Sequence, residues 1–321
     1  MIIVVQDLKT GGGERIIGNF LSQTTRPIQL YSSEPCRSIN VESIINNNWN
    51  TLTLIWLALK ILFTTSKEIP IIVVLTKPII IFGLLNILFQ RKLFLYEHCD
   101  PYLLYFNRLG IFSKFKSALL VISLKSNNVI VVTQIIKQKL TKRLGLNAKN
   151  IHILQNPSTK ITDHLVNIDL SHPSAKSVYV IIGRNGPEKR FDEAILYYHL
   201  NIRNSTTELW VVSNTSLDFE AVDHTFNSFD ALNDYVSSHN IFYKPTLINF
   251  SVLESFSLVI AEFLAAGLPV LSSYSPTLDR LWSSYQGFEL IGSEKPNEIL
   301  LSRYKPFTYS DFESHLCRIV E

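Results

Sequence analysis

A glycine-rich loop in the second half of the chain carries two cations suited to phosphate binding. Residues 183–190 read Gly-Arg-Asn-Gly-Pro-Glu-Lys-Arg and lie between an apolar run and a predicted helix. Arg184 and Lys189 could hold a diphosphate there, the Arg through two parallel hydrogen bonds. Cations at a helix N-terminus oppose the helix dipole unless an anion binds. The pattern therefore favours a phosphate site over a solvated turn.

A second glycine loop, residues 11–13, follows the first apolar run and opens a predicted helix. Backbone N–H groups at Gly12 and Gly13 could approach a phosphate closely, aided by the helix N-terminus. The loop matches neither the dinucleotide fingerprint nor the Walker A pattern. By itself it fits a flexible turn equally well.

Two carboxylates eight positions apart form the third candidate. Glu254 precedes a predicted helix, and Glu262 lies on that helix in an otherwise apolar run. Burying a carboxylate is costly unless it accepts hydrogen bonds, and sugar or ribose hydroxyls are suitable donors. A dipole-facing Glu followed by a rim Glu explains the spacing equally well.

Apolar strands alternate with helices along the chain, both before and after a polar stretch that begins at Asn156-Pro157. This alternation predicts two α/β domains, each with a parallel sheet covered by helices on both faces. The predicted domains are 1–160, 161–305 and a tail, 306–321, that could cross back to the first domain. Predicted helices span 14–23, 52–63, 79–90, 134–144, 188–200, 218–225 and 258–266. Predicted strands span 2–5, 28–31, 69–75, 93–96, 129–132, 178–182, 209–212 and 269–272, and 241–243 and 247–248 are strand-like.

Several of these segments together resemble glycosyltransferase family 4 in matching order. They are residues 8–15, 180–192, the Glu254-x7-Glu262 pair with 265–270, and, less specifically, 96–98, 131–134 and 153–157. The resemblance covers most of residues 150–275 and is thinner before them. It implies a GT-B enzyme, with two Rossmann-like domains whose parallel sheets face across a cleft, that uses a nucleotide sugar and retains anomeric configuration, usually without a metal.

The resemblance also implies residue roles. Arg184 and Lys189 would hold the donor diphosphate, which Gly12 and Gly13 would approach from the other domain. Glu262 would bind the ribose, Glu254 would bind the donor sugar hydroxyls as a catalytic residue, and His98 would lie near the reacting centre. The segment that binds sugar and ribose is Glu254, Ser255, Phe256, Ser257, Leu258 and Glu262.

The chain departs from the family pattern around Glu254. The family commonly has Pro-Ser before this Glu and Gly-Phe-Gly after it, whereas this sequence has Phe250-Ser251 before it and Ser255 and Ser257 at the two glycine positions. A Cβ can crowd a backbone that must approach a ligand, so these serines bear on the donor pose and on turnover.

Charge is divided unevenly along the chain. Residues 1–150 hold 18 Lys and Arg against 7 Asp and Glu, and residues 151–321 hold 12 against 20. Between Asp100 and Asp163 there are ten basic residues and no acid. The basic, partly aromatic segment 106–146 predicts contact with an anionic membrane, and the absence of RNA-binding motifs argues against nucleic acid.

The apolar run 52–63 is too short to span a bilayer, and Lys77-Pro78 interrupts the apolar run 69–89.

These features predict a hexosyl or related transferase that moves sugar from a UDP- or GDP-sugar to a lipid-linked or cell-surface polysaccharide acceptor, such as lipopolysaccharide or O-antigen. No other cofactor is expected. The scattered cysteines and the lack of a recognisable leader fit the cytosol, at the inner face of the membrane. Two alternatives stay open: a GT-B nucleotide-sugar epimerase and a catalytically silent GT-B module.

Overall fold

The computed structural model describes residues 1–6, 8, 12–36, 38–45, 49–74, 76–98, 111–169, 171–213, 221–252, 254–291 and 302–321, without the side chains of 12–14, 76 and 111–113. The chain divides into two compact units. Unit 1 comprises Met1–Pro157 with Phe307–Glu321, and unit 2 comprises Ser158–Pro306. Segment 307–321 therefore belongs with the N-terminal part of the chain.

Unit 1 contains a seven-stranded parallel sheet in the order β3-β2-β1-β4-β5-β6-β7. The central strands are apolar on both faces, as a sheet covered by helices on both sides requires. Its strands are β1 (Ile2–Val4), β2 (Ile28–Ser32), β3 (Val41–Ile45), β4 (Ile71–Val74), β5 (Leu93–Glu97), β6 (Asn128–Val131) and β7 (Ile151–Ile153).

The helices of unit 1 begin and end at local signals. Asn50 caps α2 by accepting the Thr53 N–H, Thr133 caps α5, and Gly145, with φ +65°, ends α5. The C-terminal α10 packs on α1, where Phe312 meets Phe20 at 5.4 Å between ring centroids. The helices are α1 (Gly12–Gln23), α2 (Thr51–Thr64), α3 (Thr76–Phe89), α4 (Ile111–Lys125), α5 (Gln134–Leu144) and α10 (Tyr309–Val320).

Unit 2 contains a six-stranded parallel sheet in the order β10-β9-β8-β11-β12-β13. Its strands are β8 (Lys176–Ile182), β9 (Thr207–Val212), β10 (His224–Phe226), β11 (Tyr243–Asn249), β12 (Val270–Ser272) and β13 (Phe288–Leu290). Its helices are α6 (Phe191–Asn201), α7 (Phe229–Ser238), α8 (Leu258–Ala265) and α9 (Pro276–Trp282). A core of α6 side chains against β8 and β9, including Tyr198, holds one helix layer to the sheet.

The two parallel sheets with flanking helices confirm the predicted α/β class. The helix predicted over 218–225 is wrong from 221 onward, because this region is a turn followed by β10, which pairs with β9. The helix predicted from Glu188 begins at Phe191, since residues 187–189 form a turn and Arg190 takes a left-handed conformation with φ 49°. Among the described residues, none of the helices is both long and apolar enough to cross a bilayer.

Candidate functional site

The sheet of unit 2 reverses its strand order between β8 and β11. From β8 the chain runs outward through β9 to β10, then returns to place β11 on the other side of β8. In open parallel sheets, loops that leave the carboxyl ends of strands at such a reversal form a crevice where ligands bind. The loop after β8 carries Arg184 and Lys189, and the loop after β11 carries Glu254.

The loop after β8 folds back over the end of its strand. Gly183 has a φ of +149°, which L side chains rarely adopt, and its α-carbon faces the Lys189 side chain and Phe191. Two backbone hydrogen bonds close the turn: Gly186 N–H donates to Arg184 O at 3.0 Å, and Lys189 N–H donates to Gly186 O at 2.8 Å. Arg184 projects into solvent while Lys189 is half-buried.

Lys189 Nζ donates to Glu254 Oε1, forming an ion pair that joins the two loops. The Lys189 side chain is 25% exposed and the Glu254 side chain 12%, so water screens this pair less than one at the surface. The Val252 N–H also donates to Glu188 O at 3.0 Å. The ion pair thus joins, at the switch point of the sheet, two residues that are 65 positions apart in the sequence.

This pairing changes one argument made from the sequence. Cations near the start of α6 were expected to need an external anion, yet the protein supplies carboxylates of its own. Lys189 pairs with Glu254, and Arg190 donates to Glu193 Oε2 at 3.1 Å. Among the three cations of this loop, Arg184 is the one whose guanidinium has no hydrogen bond or ion pair to the residues that the structure describes.

The segment between Glu254 and α8 is packed rather than open. Phe256 is buried against Trp282, whose Nε1 donates to Phe256 O at 3.0 Å, with 5.2 Å between the ring centroids. Ser255 and Leu258 are half-buried. Ser257, which precedes α8, has φ 62° and ψ 91°, a left-handed conformation that favours glycine. Serine here therefore keeps the backbone conformation that glycine would adopt with less strain.

Glu262 lies on α8 and is 3% exposed. Its neighbours Ala261 and Phe263 are fully buried, so α8 is enclosed on most of its surface. Gly267 follows the helix with φ +74°, as its predicted C-terminal glycine should. Burial of the carboxylate agrees with the sequence, and the ribose contact remains a prediction.

In unit 1, Gly12 and Gly13 form the first turn of α1, the next element after β1 in the chain. The sheet of unit 1 reverses its order between β1 and β4, so this helix start lies at the switch point of its sheet. Gly11 lies outside the described residues.

His98 follows β5 and contacts Tyr96, with ring centroids 3.9 Å apart and the ring planes tilted by 38°. Burial lowers the pKa of His98 to about 3, and the interaction with the Asn156 side chain opposes this only in part. The hydroxyl of Tyr96 donates to Asn156 Oδ1 at 3.3 Å. His98 is thus a neutral ring at physiological pH.

In the sequence, Asn156 marks only the start of the polar stretch between the two domains and belongs to the less specific resemblance over 153–157. It is 6% exposed and lies in the cluster with Tyr96 and His98. The pairing of β6 with β5 and β7 brings the chain after β7 close to the end of β5. No local signal in the sequence points to this contact.

Several solved structures have folds similar to that of this chain. Sucrose-phosphate synthase from Thermosynechococcus elongatus matches with a TM-score of 0.66 and 13% identity over 99% of this chain and 89% of its own. HepE from Anabaena, in complex with UDP and glucose, matches with a TM-score of 0.65 and 14% identity over 99% and 98%. The lipopolysaccharide outer core galactosyltransferase WaaB matches with a TM-score of 0.59 and 15% identity over 99% and 89%.

No protein-family model matches the sequence, and no curated protein matches it. At these identities, the similarity to solved structures establishes the fold. Two parallel α/β units, with the switch point of unit 2 between β8 and β11, are the Rossmann-like domains of that fold. The chain therefore has the two-domain GT-B fold.

Proposed function

We propose that this chain is a retaining glycosyltransferase of family 4 that moves a sugar from a UDP- or GDP-sugar to a lipid-linked or cell-surface polysaccharide acceptor. One observation carries the proposal: Lys189 and Glu254 meet at the switch point of unit 2. A cation for a diphosphate and a carboxylate for sugar hydroxyls are thereby next to each other where a nucleotide sugar would bind. HepE, which has a similar fold, was solved with UDP and glucose.

In the proposed reaction, the bond between the anomeric carbon and the diphosphate oxygen breaks, and the acceptor oxygen bonds to the same face of that carbon. The acceptor proton leaves with the nucleoside diphosphate. Arg184 and Lys189 stabilise the charge that develops on the departing diphosphate. Glu254 accepts hydrogen bonds from the sugar, and Glu262 accepts them from the ribose. Because two cations supply the positive charge, we propose no metal or other cofactor.

The residues of unit 1 receive the remaining roles in this proposal. His98 is neutral, so it can accept a hydrogen bond from a sugar hydroxyl without adding positive charge near the anomeric carbon. The first-turn N–H groups of Gly12 and Gly13 suit a phosphate oxygen. The basic N-terminal half, 18 Lys and Arg against 7 acids in residues 1–150, suits an anionic membrane and therefore a lipid-linked acceptor at the cytoplasmic face.

A thermal-shift panel with UDP, GDP, ADP and CMP tests donor binding. A nucleotide at about 100 times its dissociation constant stabilises the folded state by roughly 2.7 kcal/mol. We expect one nucleoside diphosphate to raise the unfolding temperature, and the Arg184→Ala/Lys189→Met variant to lose that rise. Arg190→Gln is the matched control, since Arg190 already pairs with Glu193 and should leave the shift intact. No shift with any nucleotide contradicts the proposal.

A catalytically silent GT-B module is the second candidate, and the Lys189–Glu254 ion pair favours it. In this pair the two residues satisfy each other's charge. A donor must then compete with an existing contact to reach either residue. Turnover separates the two functions: Lys189→Ala should lower a measurable transferase rate by about 10²–10³-fold. Nucleotide binding with no transfer to any polyprenyl-linked or polysaccharide acceptor identifies the silent module.

A further inference from the structure

One helix of unit 1 exposes a row of large apolar side chains. Leu52, Trp56 and Phe63 on α2 are 72%, 74% and 75% exposed, and Lys60 is exposed among them. Their spacing of four, four and three residues places all four on one side of the helix. We call this row the α2 surface. The sequence predicted a helix over 52–63 that is too short to span a bilayer, and in the structure only the opposite side of this helix, including Leu54 and Ala58, is buried.

A groove borders the α2 surface on the side of the edge strand β3. It has a volume of about 650 Å³ and lies between α2, the strands β2 and β3, and the end of α3. Its lining is almost entirely apolar and includes Ile44, Ile45, Trp56, Phe63 and Phe89. Monomeric soluble proteins rarely expose so continuous an apolar area, which instead marks contact with a membrane or a partner.

The charge around this surface decides which occupant fits. The helix α3 packs against both α2 and α4, so these three helices form one layer. Their sequences contain five Lys and neither Asp nor Glu. The same layer also exposes Leu88 of α3, and Phe115 and Ile122 of α4, at 79%, 65% and 46%. Four of the five Lys are exposed, whereas Lys77 is half-buried and donates to Trp49 O. The exposed apolar and cationic side chains of the three helices match the surface of a bilayer that contains anionic lipid, and Glu42 of β3 is an acid on the groove side, close to Tyr31.

We propose that the α2 surface docks this protein onto an anionic lipid bilayer, with Trp56 at the level of the headgroups and lipid acyl carbon in the adjoining groove. Tryptophan is suited to that depth because its ring is apolar and its N–H is polar. Lys60 reaches headgroup phosphates from within the apolar row. This inference deepens the membrane contact of the proposed function, and it moves the main contact from segment 106–146 to α2.

A second copy of the chain fits this surface less well. A symmetric dimer would bring the same patch of both molecules together, and with it the lysines of both copies. With no acid on α2, α3 or α4, those lysines would face like charges. A bilayer with anionic headgroups supplies the opposite charge.

Tryptophan fluorescence reports on this contact directly. The sequence has four tryptophans, and Trp49, Trp210 and Trp282 are 8%, 0% and 2% exposed, which leaves Trp56 as the solvent-exposed one. Full-length protein is titrated with vesicles of equal parts phosphatidylglycerol and phosphatidylcholine, and with pure phosphatidylcholine. We expect a blue shift of the emission with the anionic vesicles, and quenching when their acyl chains are brominated.

Matched double variants identify the surface. Leu52→Ser/Phe63→Ser keeps Trp56 and should lower vesicle partitioning by about tenfold or more, since each side chain loses its transfer into the bilayer. Leu196→Ser/Leu200→Ser makes the same kind of change at side chains of α6 that are 57% and 74% exposed, and should leave partitioning unchanged. Circular dichroism checks the fold of both variants.

Three outcomes overturn the inference. The first is that brominated lipid does not quench the fluorescence of the wild type, and the second is that Leu52→Ser/Phe63→Ser and the wild type partition equally onto vesicles. The third is a blue shift that depends on protein concentration in the absence of vesicles, because that result identifies a second copy as the occupant. Loss of binding in Phe115→Ser but not in the α2 variant returns the contact to segment 106–146. Vesicle binding needs no nucleotide, so failure here leaves the nucleotide shift of the proposed function intact.

Discussion

At the scale of single residues, the ion pair between Lys189 and Glu254 gives unit 2 a contact that can be measured without knowing the substrate. Removing either charge leaves the other half-buried and unpaired. We expect Lys189→Met and Glu254→Gln each to lower the free energy of unfolding. The double variant should lose less stability than the sum of the two single losses. A coupling free energy of about 1 kcal/mol in a denaturant double-mutant cycle is the expected result. Strict additivity would show that the pair contributes nothing to stability.

Ser257 tests backbone strain beside the candidate site. A non-glycine residue in a left-handed conformation costs roughly 1–3 kcal/mol, while glycine adds entropy to the unfolded chain. We expect Ser257→Gly to raise the free energy of unfolding by up to about 1 kcal/mol in urea titrations. Ser255→Gly is the control, because Ser255 has no positive φ and should give no gain. Equal effects at both serines would mean that the conformation of Ser257 is not strained.

His98 predicts a pH dependence of stability. Its pKa in the folded protein is about 3, below the ordinary value of 6.5, so the unfolded chain binds this proton first as pH falls. Stability is therefore lost as pH falls from about 6.5 toward 3. We expect His98→Gln to lose less stability than the wild type between about pH 7 and pH 4.5, measured by urea unfolding. His239→Gln, at an exposed helix end, should follow the wild type. Parallel curves for all three proteins would contradict the burial of the His98 ring nitrogens.

At the scale of elements, α10 ties the end of the chain into unit 1. Phe312 is fully buried against Phe20 of α1, Thr24 Oγ1 donates to Glu313 Oε1 at 2.5 Å, and Asn19 Nδ2 donates to Tyr309 OH at 3.0 Å. Thr308 and Asp311 form a capping box that starts the helix. The helix thus has both a buried face and a fixed beginning.

We expect Phe312→Ala to destabilise unit 1 by about 3–5 kcal/mol through the cavity that it leaves. Hydrogen exchange should show faster opening of α1 and of the β5 region, because Tyr96 lies 6.4 Å from Phe312 between ring centroids. His315→Ala, on the exposed side of α10, should have little effect. Unchanged exchange in α1 after Phe312→Ala would show that α10 does not support unit 1.

At the scale of the whole molecule, the two units differ in charge sign. Unit 1 holds 19 Lys and Arg against 10 Asp and Glu, and unit 2 holds 11 against 17. Salt shortens the range of such fields, from about 10 Å at 0.1 M to about 3 Å at 1 M. We expect binding to anionic vesicles to weaken steeply as NaCl rises, while a nucleotide shift changes less. Vesicle binding that is independent of salt would show that apolar contact alone holds the protein at the bilayer, without an electrostatic contribution.

The sequence determined the elements of this protein because their signals are local. Continuous apolar runs predicted the central parallel strands, and α5 spans Gln134–Leu144 as predicted, since Thr133 and Gly145 fix its two ends. Strands β3, β7, β10 and β13 were not predicted, and β10 lies in a region predicted as helix. These strands lack a continuous apolar run, because polar residues such as Glu42 and Ser43 in β3 and His224 and Thr225 in β10 interrupt them.

Tertiary structure decided the environments of the side chains. Lys189 meets Glu254 because β8 and β11 are neighbours in the sheet, an order that no local pattern encodes. His98 is neutral because Tyr96 and the chain around Asn156 enclose it. An apolar helix sequence is compatible with burial on every side, and only the packing of α2 leaves Leu52, Trp56 and Phe63 exposed. Local sequence sets the conformation of each segment, whereas charge pairing and exposure depend on what the rest of the chain packs against it.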